Sequence, residues 1–227
     1  MEIEWFNGHY LNGLNEKVYI ETDLLYGLLK SSDLKKHQIN SYRKLVIITQ
    51  KRIGQDTGYI KEHYPHTFNY LNKNKQHFDK RKSVIYKGKP DFSIFGVGDY
   101  SFAQYKVAIS GLYKSTHFTL VLPDNNKPIM LDDTCYFIGF DNLIFARIAH
   151  YLLNLDFTQQ FLKSIIFPDS KRSVTKDVLM RIDFKKIYSL IDYNLVHNSI
   201  NEVDKEDWEK FGNLITKKID SEQMILF

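Results

Sequence analysis

The stretch SIFGVGDYSFAQYKVAISGLYK, residues 93–114, decides the fold that we expect for this chain. Its pattern predicts a β-strand, a loop with Gly96 and Gly98, and a second, apolar strand. Glycine suits such a loop because it adopts backbone angles that a side chain disfavours. A polar and aromatic loop of this kind either closes a plain β-hairpin or contacts a ligand, and the spacing alone leaves both open. Its hydrogen-bonding and stacking residues are Asp99, Tyr100, Ser101, Gln104, Tyr105 and Lys106.

Strand patterns recur on both sides of this stretch. A β-branched core at residues 46–49 predicts one strand, and residues 117–123 and 129–140 predict two more. The dipeptide Asn12-Gly13 favours a hairpin turn near the start of the chain. We therefore expect a mainly antiparallel, curved sheet in the first two-thirds of the chain.

Helical patterns precede and follow the central strands. Leucines 24, 25, 28 and 29 predict a short helix capped by Asp23, and Pro65 suits the first turn of an amphipathic helix that ends near Arg81. From Asp141 onward, where that residue is expected to cap a helix, apolar residues recur at helical spacing. The expected fold class is α+β, with residues 1–190 as one domain and residues 191–227 as a C-terminal helical extension packed on it.

The charged fraction, the cysteine count and the lengths of the apolar runs exclude several classes of protein. A charged fraction of 26% is ordinary for a globular chain. The single cysteine, Cys135, excludes a disulfide framework and a cysteine-based zinc site. The first residues are acidic and lack an apolar segment, so we expect no signal peptide, and no apolar run reaches membrane-spanning length. These features predict a cytoplasmic protein without a membrane partner.

A basic run leads into the central stretch. The net charge of the whole chain is only +4, and a charge run is commonly a solvated helix face. Here, however, aromatic Tyr86 interrupts the run, and an aromatic, amide-rich loop follows it. This combination is typical of nucleic-acid binding. The cations closest to the loop are Lys80, Arg81, Lys82, Lys87 and Lys89.

Catalytic motifs are missing from the sequence. It contains no nucleophile elbow, Walker loop or HExxH pair. Asp132 and Asp133 are predicted to be neighbours in a strand, where they point to opposite faces, so we expect a structural role for them. Of the eight histidines, only His63 and His66 are close in sequence, and they flank a proline. We therefore predict neither a catalytic set nor a metal site.

A degenerate nuclease site is one alternative. Pro90-Asp91, Asp99 and the tripeptide Gln104-Tyr105-Lys106 imitate a PD…(D/E)xK arrangement, here PD…QxK. Glutamine brings no charge to hold a divalent cation, which weakens this interpretation. A second alternative is a protein-interaction module, such as a specificity or inhibitor subunit that docks on another protein.

Several segments resemble a known family. Residues 87–114 (KGKPDFSIFGVGDYSFAQYKVAISGLYK), 127–140 (KPIMLDDTCYFIGF) and 164–183 (SIIFPDSKRSVTKDVLMRID) resemble the C-terminal part of adenine-specific DNA methyltransferases of restriction–modification systems, in the TaqI-like class. The upstream NGLNEKVYI and YPHTFNYLNKNKQHFDKR are similar to the family's opening hairpin and Tyr-Pro helix. FARIAHYLLNLDFTQQFLKSI is similar to a helix pair that type I specificity subunits share. The resemblance covers about residues 1–190.

The chain departs from the family in one respect. Full-length members carry a methyltransferase domain with a glycine-rich S-adenosylmethionine loop and an (N/D/S)PP(Y/F/W) motif. None of the five prolines here is adjacent to another, so this motif is not in the sequence. The resemblance therefore implies a target-recognition domain without catalytic residues. Its expected partners are double-stranded DNA and a methyltransferase catalytic domain or subunit, which alone would hold the cofactor S-adenosylmethionine.

The resemblance, combined with residue type, assigns roles to named side chains. Base readout is expected from Tyr100, Gln104, Tyr105 and Lys106, because Asn or Gln commonly reads adenine and Arg or Lys guanine. Phosphate contacts are expected from cations on either side of the central stretch. The phosphate-binding candidates are Lys80, Arg81, Lys82, Lys87, Lys89, Lys171 and Arg172.

Overall fold

The structure is a computed structural model that describes residues 1–112, 115–167 and 172–220, with side chains to residue 216. Its strands are β1 (Glu2–Phe6), β2 (His9–Asn12), β3 (Lys17–Val18), β4 (Leu25–Leu29), β5 (Gln38–Ile39), β6 (Lys44–Ile47), β7 (Tyr105–Ser110), β8 (Thr119–Val121), β9 (Met130–Leu131) and β10 (Cys135–Phe140). Its α-helices are α1 (Tyr59–His63), α2 (Pro65–Lys73), α3 (Lys75–Asp79), α4 (Leu143–Leu153), α5 (Asp156–Ile165), α6 (Lys176–Leu179), α7 (Phe184–Ser189), α8 (Tyr193–Ser199) and α9 (Lys205–Asp220).

The predicted α+β class is confirmed. Strands occupy the first two-thirds of the chain, and in the described residues only helices follow Phe140. The chain divides into two compact units. The first contains Met1–Leu28 and Ser41–Phe102, and the second contains Leu29–Asn40 and the described residues from Ala103 onward. No described helix combines the length and the apolar character needed to cross a membrane.

The first unit contains an antiparallel sheet in the order β3-β2-β1-β6-β4. A tight turn at Asn7-Gly8 joins β1 to β2, with φ of +47° and +84° at the two residues. Two positive φ values are typical of a type I′ turn, for which Asn-Gly is a preferred sequence. This second Asn-Gly pair was readable in the sequence, although we predicted only the turn at Asn12-Gly13.

The predicted hairpin at Asn12-Gly13 is confirmed. Residues 13–16 connect its strands, which is a longer loop than a two-residue Asn-Gly turn. Strands β2 and β3 pair antiparallel, with Tyr10 opposite Val18. The Asn12 side chain accepts hydrogen bonds from the backbone N–H groups of Leu14 and Glu16 at 2.9 and 3.0 Å. The asparagine thus closes the loop with its side chain rather than as a turn residue.

The predicted helix at residues 24–29 is wrong. After a short 3-10 helix at Thr22–Leu24, these residues form β4, which pairs antiparallel with β6. Leucines 25, 28 and 29 are all buried, so the strand is covered on both faces. A strand buried on both faces is a continuous apolar run, which periodicity alone does not distinguish from a buried helix.

The predicted first strand of the central stretch is also wrong. Residues 93–98 are irregular, and Asp99–Phe102 form a 3-10 helix. The backbone N–H of Ile94 donates to the Gln50 side chain at 3.1 Å instead of to a neighbouring strand. Gly96 has φ of +73°, which turns the chain away from an extended path. Only the second half of the stretch is a strand, and that part of the prediction is confirmed as β7.

The helix predicted at Pro65 is confirmed, with a break at Asn74 between α2 and α3. Its N-terminus lies against the carboxylate of Glu21. That carboxylate accepts hydrogen bonds from the backbone N–H groups of His66 (2.9 Å) and Thr67 (2.8 Å) and from the Thr67 hydroxyl (2.6 Å). An acid at this place complements the positive end of the helix and satisfies amides that have no intrahelical partner.

The second unit contains a four-stranded sheet in the order β10-β7-β8-β5, in which β5 and β8 are parallel and the other neighbours are antiparallel. Helix α4 begins after Asn142, whose side chain accepts from Phe145 N, so the cap lies one residue beyond the predicted Asp141. The apolar faces of β7, α4 and the later helices share one core. Trp208 and Phe211 of α9 belong to it, so α9 packs on this unit.

Asp132 and Asp133 lie in a turn between β9 and β10, rather than in a continuous strand as predicted. The Asp132 carboxylate accepts from the backbone N–H of Thr134 at 3.0 Å and from the Thr134 hydroxyl. The structural role expected for this acid therefore follows from turn formation.

Lys106, in β7, is buried with only 1% of its surface exposed. Its amine donates to the backbone carbonyl oxygens of Ala103 (2.8 Å) and Ile129 (2.9 Å). Burial lowers the pKa of Lys106 to about 7, because a charged amine loses its hydration inside the protein. The neutral amine has two N–H groups, and the two carbonyl oxygens accept both.

We predict that Glu21→Gln destabilises the protein by about 1 kcal/mol at pH 7, the usual scale for loss of a helix cap. Burial raises the pKa of Glu21, but the hydrogen bonds from Thr67 and His66 outweigh it and bring the pKa from 4.5 to about 2. The stabilisation is therefore complete above pH 4.5 and disappears as the pH falls towards 2. Denaturant unfolding across this range would show a shallower acid dependence for the variant. Glu62→Gln, at an exposed acid of α1, is the control. Parallel profiles for Glu21→Gln and the parent would contradict the prediction.

We predict that Lys106→Met removes a pH-dependent part of the stability. The unfolded amine titrates near 10.5 and the folded amine near 7, so the unfolded state binds the extra proton between these values. The free energy of unfolding of the parent should therefore rise from pH 7 towards pH 10.5. The variant lacks this rise and loses about 1–3 kcal/mol because two buried carbonyl oxygens lose their donor. Unfolding measured across this range tests it, and equal slopes for the two proteins would refute it.

Candidate nucleic-acid interface

Two loops of the first unit, residues 48–58 and 91–102, are joined through the Gln50 side chain. Gln50 is 1% exposed, and its amide donates to Gln55 O at 2.6 Å and to Ser93 Oγ at 3.3 Å. Its oxygen accepts from Ile94 N at 3.1 Å. Because buried amides are costly unless they are hydrogen-bonded, this residue holds the two loops in one arrangement.

Two threonines of the first loop also form hydrogen bonds to the second loop. The Thr49 hydroxyl donates to Phe92 O at 2.8 Å, and the Thr57 hydroxyl donates to Asp91 O at 2.6 Å. Both threonines are buried. Side chains of the first loop thus satisfy backbone carbonyls of the second without a strand or an α-helix.

An exposed ion pair also joins the two loops. The Arg52 guanidinium donates to both carboxylate oxygens of Asp99, at 3.0 and 2.7 Å. The hydrogen bond and the charge of Asp99 raise the pKa of Arg52. More than 70% of each side chain is accessible, so solvent screens the pair and it adds little to stability. Its bidentate geometry nevertheless orients both side chains.

Arg81 attaches the basic segment, residues 80–89, to the second of these loops, residues 91–102. Its guanidinium carbon lies 4.3 Å from the centre of the Phe78 ring and 4.5 Å from that of Tyr86, and it donates to the backbone carbonyl of Ser93. A planar guanidinium stacks on aromatic rings in a way that a lysine amine does not. Arg81 therefore positions the segment, which is a different role from the phosphate contact predicted for it.

The other cations of the segment point to solvent. The described residues contain no carboxylate partner for any of them, and Lys89 lies beside the first loop, 3.7 Å from where a Cβ of Gly54 would stand. Unpaired, exposed amines are available to an anionic partner without breaking an existing contact. These four cations are Lys80, Lys82, Lys87 and Lys89.

Apolar and aromatic side chains are exposed on the same three segments. Val84 is 81% exposed, Phe95 58%, Ile53 50% and Tyr100 49%, values that are high for side chains of this size. The Tyr100 ring packs over Gly98, where a Cβ would come within 2.7 Å of it. We call the exposed side chains of residues 51–56, 80–89 and 94–100 the loop face. It combines cations with stacking groups, as single- and double-stranded nucleic-acid sites do.

The predicted readout residues are distributed over both units. Tyr100 belongs to the first unit and to the loop face, whereas Gln104 and Tyr105 belong to the second unit, where each is partly exposed. Lys106 also belongs to the second unit, but its amine is turned to Ala103 and Ile129 and away from solvent. We therefore do not retain Lys106 as a reader. Residue type did not indicate that this lysine faces inward, because lysine is rarely fully buried.

The two remaining phosphate candidates also belong to the second part of the chain. Arg172 is half exposed, with one guanidinium nitrogen 3.9 Å from an Asp133 carboxylate oxygen. Lys171 lies outside the described residues. Lys51 and Arg52, two exposed cations in the loop after β6, were not among the predicted candidates. Their adjacency to the strand end was the available signal.

The acids of the nuclease alternative are engaged in ion pairs. Asp91 pairs with Lys75 at 2.6 Å and Asp99 pairs with Arg52, so each carboxylate already has a cation. Within the described ranges, neither acid belongs to a group of three or more potential metal ligands. Gln104 and Lys106 lie in the other unit, and the second is buried.

Three histidines that are far apart in the sequence come together in the second unit. His37, His117 and His150 place one ring nitrogen each within 4.8 Å of the others. The rings of His37 and His117 contact each other edge to face, with their centres 4.5 Å apart. Burial lowers the pKa of His117, and it lowers that of His150 to about 4. This cluster was not predicted, because its three histidines are far apart along the chain.

Comparison with known proteins relates the chain to a type II methyltransferase. No family model matches the chain. The chain is similar to the type II methyltransferase M.NspV of Nostoc sp. (strain ATCC 29411 / PCC 7524), with 40% identity over 191 residues. The match covers 84% of this chain and 40% of the relative, so the chain spans about two fifths of the length of the curated relative that it matches. This similarity supports a relation between the chain and type II methyltransferases of restriction–modification systems.

Proposed function

We propose that this chain recognises double-stranded DNA as the target-recognition part of an adenine-specific methyltransferase of a restriction–modification system. The observation that carries the proposal is the 40% identity to the type II methyltransferase M.NspV over 84% of the chain. The loop face supports it, because its free cations and exposed rings are the groups that contact phosphates and bases.

The loop face binds the duplex backbone in this proposal. Lys82, Lys87 and Lys89 contact phosphates, and Lys80 extends the same positive segment. Arg81 acts indirectly, since its guanidinium is held between Phe78 and Tyr86 and fixes the course of the segment. Backbone contacts of this kind set the position of a protein on DNA without reading its sequence.

Base readout in this proposal comes from Tyr100, Gln104 and Tyr105. A glutamine amide donates to and accepts from the N7/N6 edge of adenine, which no other base matches. Tyrosine rings stack on bases or hydrogen-bond through their hydroxyls. Both Gln104 and Tyr105 are partly exposed, and Tyr100 is 49% exposed, so all three are open to a ligand.

Methyl transfer belongs to another domain or subunit in this proposal. S-adenosylmethionine would supply the methyl group there. This chain would hold the target duplex while the catalytic partner takes the adenine out of the stack. The described residues offer no cluster of carboxylates for metal-dependent cleavage, which disfavours the nuclease alternative. A module that binds only protein would show no salt-dependent affinity for DNA, and the experiments below detect that outcome.

We predict that the combined change of Lys82, Lys87 and Lys89 to alanine weakens binding to all duplexes alike. Each lost phosphate contact should reduce the slope of log K against log salt by about 0.9, hence by about 3 for the triple variant. Fluorescence anisotropy with a random-sequence duplex at several salt concentrations measures this slope.

The matched control changes Lys185, Lys186 and Lys205 to alanine. These lysines are exposed on α7 and α9, and their loss removes the same charge from the chain. Its slope should equal that of the parent. If both triple variants reduce the slope by the same amount, net charge explains the binding and the loop face has no specific role.

We predict that Gln104→Ala relaxes the preference at one base pair of the target site. Loss of a two-bond contact to adenine should cost about 1–3 kcal/mol for the preferred base, with the salt dependence unchanged. Selection of bound duplexes from a random pool, followed by sequencing, reports the preference at each position. Gln38→Ala, at an exposed glutamine of β5, is the control. If Gln104→Ala and Tyr100→Ala both select the parental site and bind it with parental affinity, the readout assignment is wrong.

A further inference from the structure

The histidine cluster of the second unit draws its three rings from three separate elements. His37 immediately precedes β5, His117 lies just before β8, and His150 is in the last turn of α4. The parallel pairing of β5 with β8 fixes the first two, and Leu120 N donates to His37 O at 2.8 Å. The convergence therefore rests on the sheet and on the helix that packs against it.

Two of the rings are oriented by backbone carbonyls. His117 Nε2 lies 3.3 Å from Lys36 O, and His150 Nε2 lies 3.1 Å from Phe118 O. A neutral imidazole that donates from one nitrogen keeps a lone pair on the other. Histidine ligands of metal ions are commonly held by a hydrogen bond of this kind to a carbonyl.

The Asn154 side chain strengthens this frame. Its amide donates to Phe118 O and its oxygen accepts from Phe118 N, both at 3.0 Å. The carbonyl that orients His150 is thus itself held in place by a residue at the end of α4. Rigid support of this kind reduces the reorganisation that a ligand set must undergo before it binds an ion.

The spacing of the nitrogens is compatible with one small ion. Three nitrogens at about 2.0–2.1 Å from a tetrahedral zinc ion are about 3.3 Å apart. The three ring nitrogens here lie within 4.8 Å of one another, so side-chain rotation must bring them closer by at most about 1.5 Å. His37 is exposed, which leaves its ring free to make that movement.

We propose that His37, His117 and His150 bind one divalent transition-metal ion of the zinc class. Three imidazoles without a carboxylate favour Zn²⁺, Co²⁺, Ni²⁺ or Cu²⁺ over Mg²⁺ and Ca²⁺, which prefer oxygen ligands. Three protein ligands leave a fourth position open for water or another ligand. The cluster shares no residue with the loop face, so a failure to bind DNA would not argue against the metal site, and the reverse also holds.

Titration of the chelator-treated, tag-free protein tests the proposal. Isothermal calorimetry with Zn²⁺ should give one bound ion per chain, whereas Mg²⁺ should give no detectable heat of binding. Co²⁺ should produce the visible absorption of a tetrahedral nitrogen-ligated ion, and Zn²⁺ should raise the melting temperature. An aromatic cluster without a metal role would give none of these signals.

Substitutions assign the binding to the three rings. His37→Ala is the first variant because the side chain is exposed and its loss should leave the fold intact. It should weaken Zn²⁺ binding about tenfold or more, and His150→Gln should do so as well, with circular dichroism to confirm folding. His63→Ala, at an exposed histidine of α1, is the matched control and should bind as the parent does. Parental affinity in both His37→Ala and a folded His150→Gln, or absence of stoichiometric binding in the parent, would overturn the proposal.

Discussion

The buried amide of Gln50 is the constraint on which the arrangement of the loop face depends. Two loops without strands or α-helices carry many backbone groups that such elements would otherwise satisfy. Gln50 satisfies three of its neighbours' polar groups at once, on Gln55, Ser93 and Ile94. Arg81 then joins the basic segment to the second loop, because its guanidinium stacks on Phe78 and Tyr86 and donates to the backbone carbonyl of Ser93. Exposed cations and rings can occupy defined positions because these hydrogen bonds hold the two loops in place.

The sequence allowed prediction of elements that local pattern decides. The apolar run of β7 and the helical periodicity after residue 141 were both recognised, and the structure contains both. Prediction from local pattern failed where the same residues suit two different secondary-structure elements. Leu25, Leu28 and Leu29 suit a helical stripe as well as a strand buried on both faces. It failed again at residues 93–98, because side chains distant in the sequence, Gln50 and Arg81, bond that backbone.

The exposed cations of the candidate site were predictable, because a basic run usually lies at the protein surface. Lysines in a strongly basic run are expected at the surface, and Lys82, Lys87 and Lys89 are exposed. Lys106 was not predictable in this way, since its burial requires the carbonyl groups of Ala103 and Ile129 to converge on one amine. The histidine cluster was equally hidden, because only the pairing of β5 with β8 brings His37 to His117. Tertiary contacts, rather than residue type, decide such positions.

The most direct test of the central claim is the affinity of the unmodified chain for duplex DNA across a salt series. Fluorescence anisotropy should compare a random-sequence duplex with duplexes that the chain itself enriches from a random pool. We predict an affinity that falls steeply with salt, because protein cations replace condensed counterions, together with tighter binding to a short enriched site. Negligible affinity at low salt, with no enriched sequence, would contradict the claim that this chain recognises DNA.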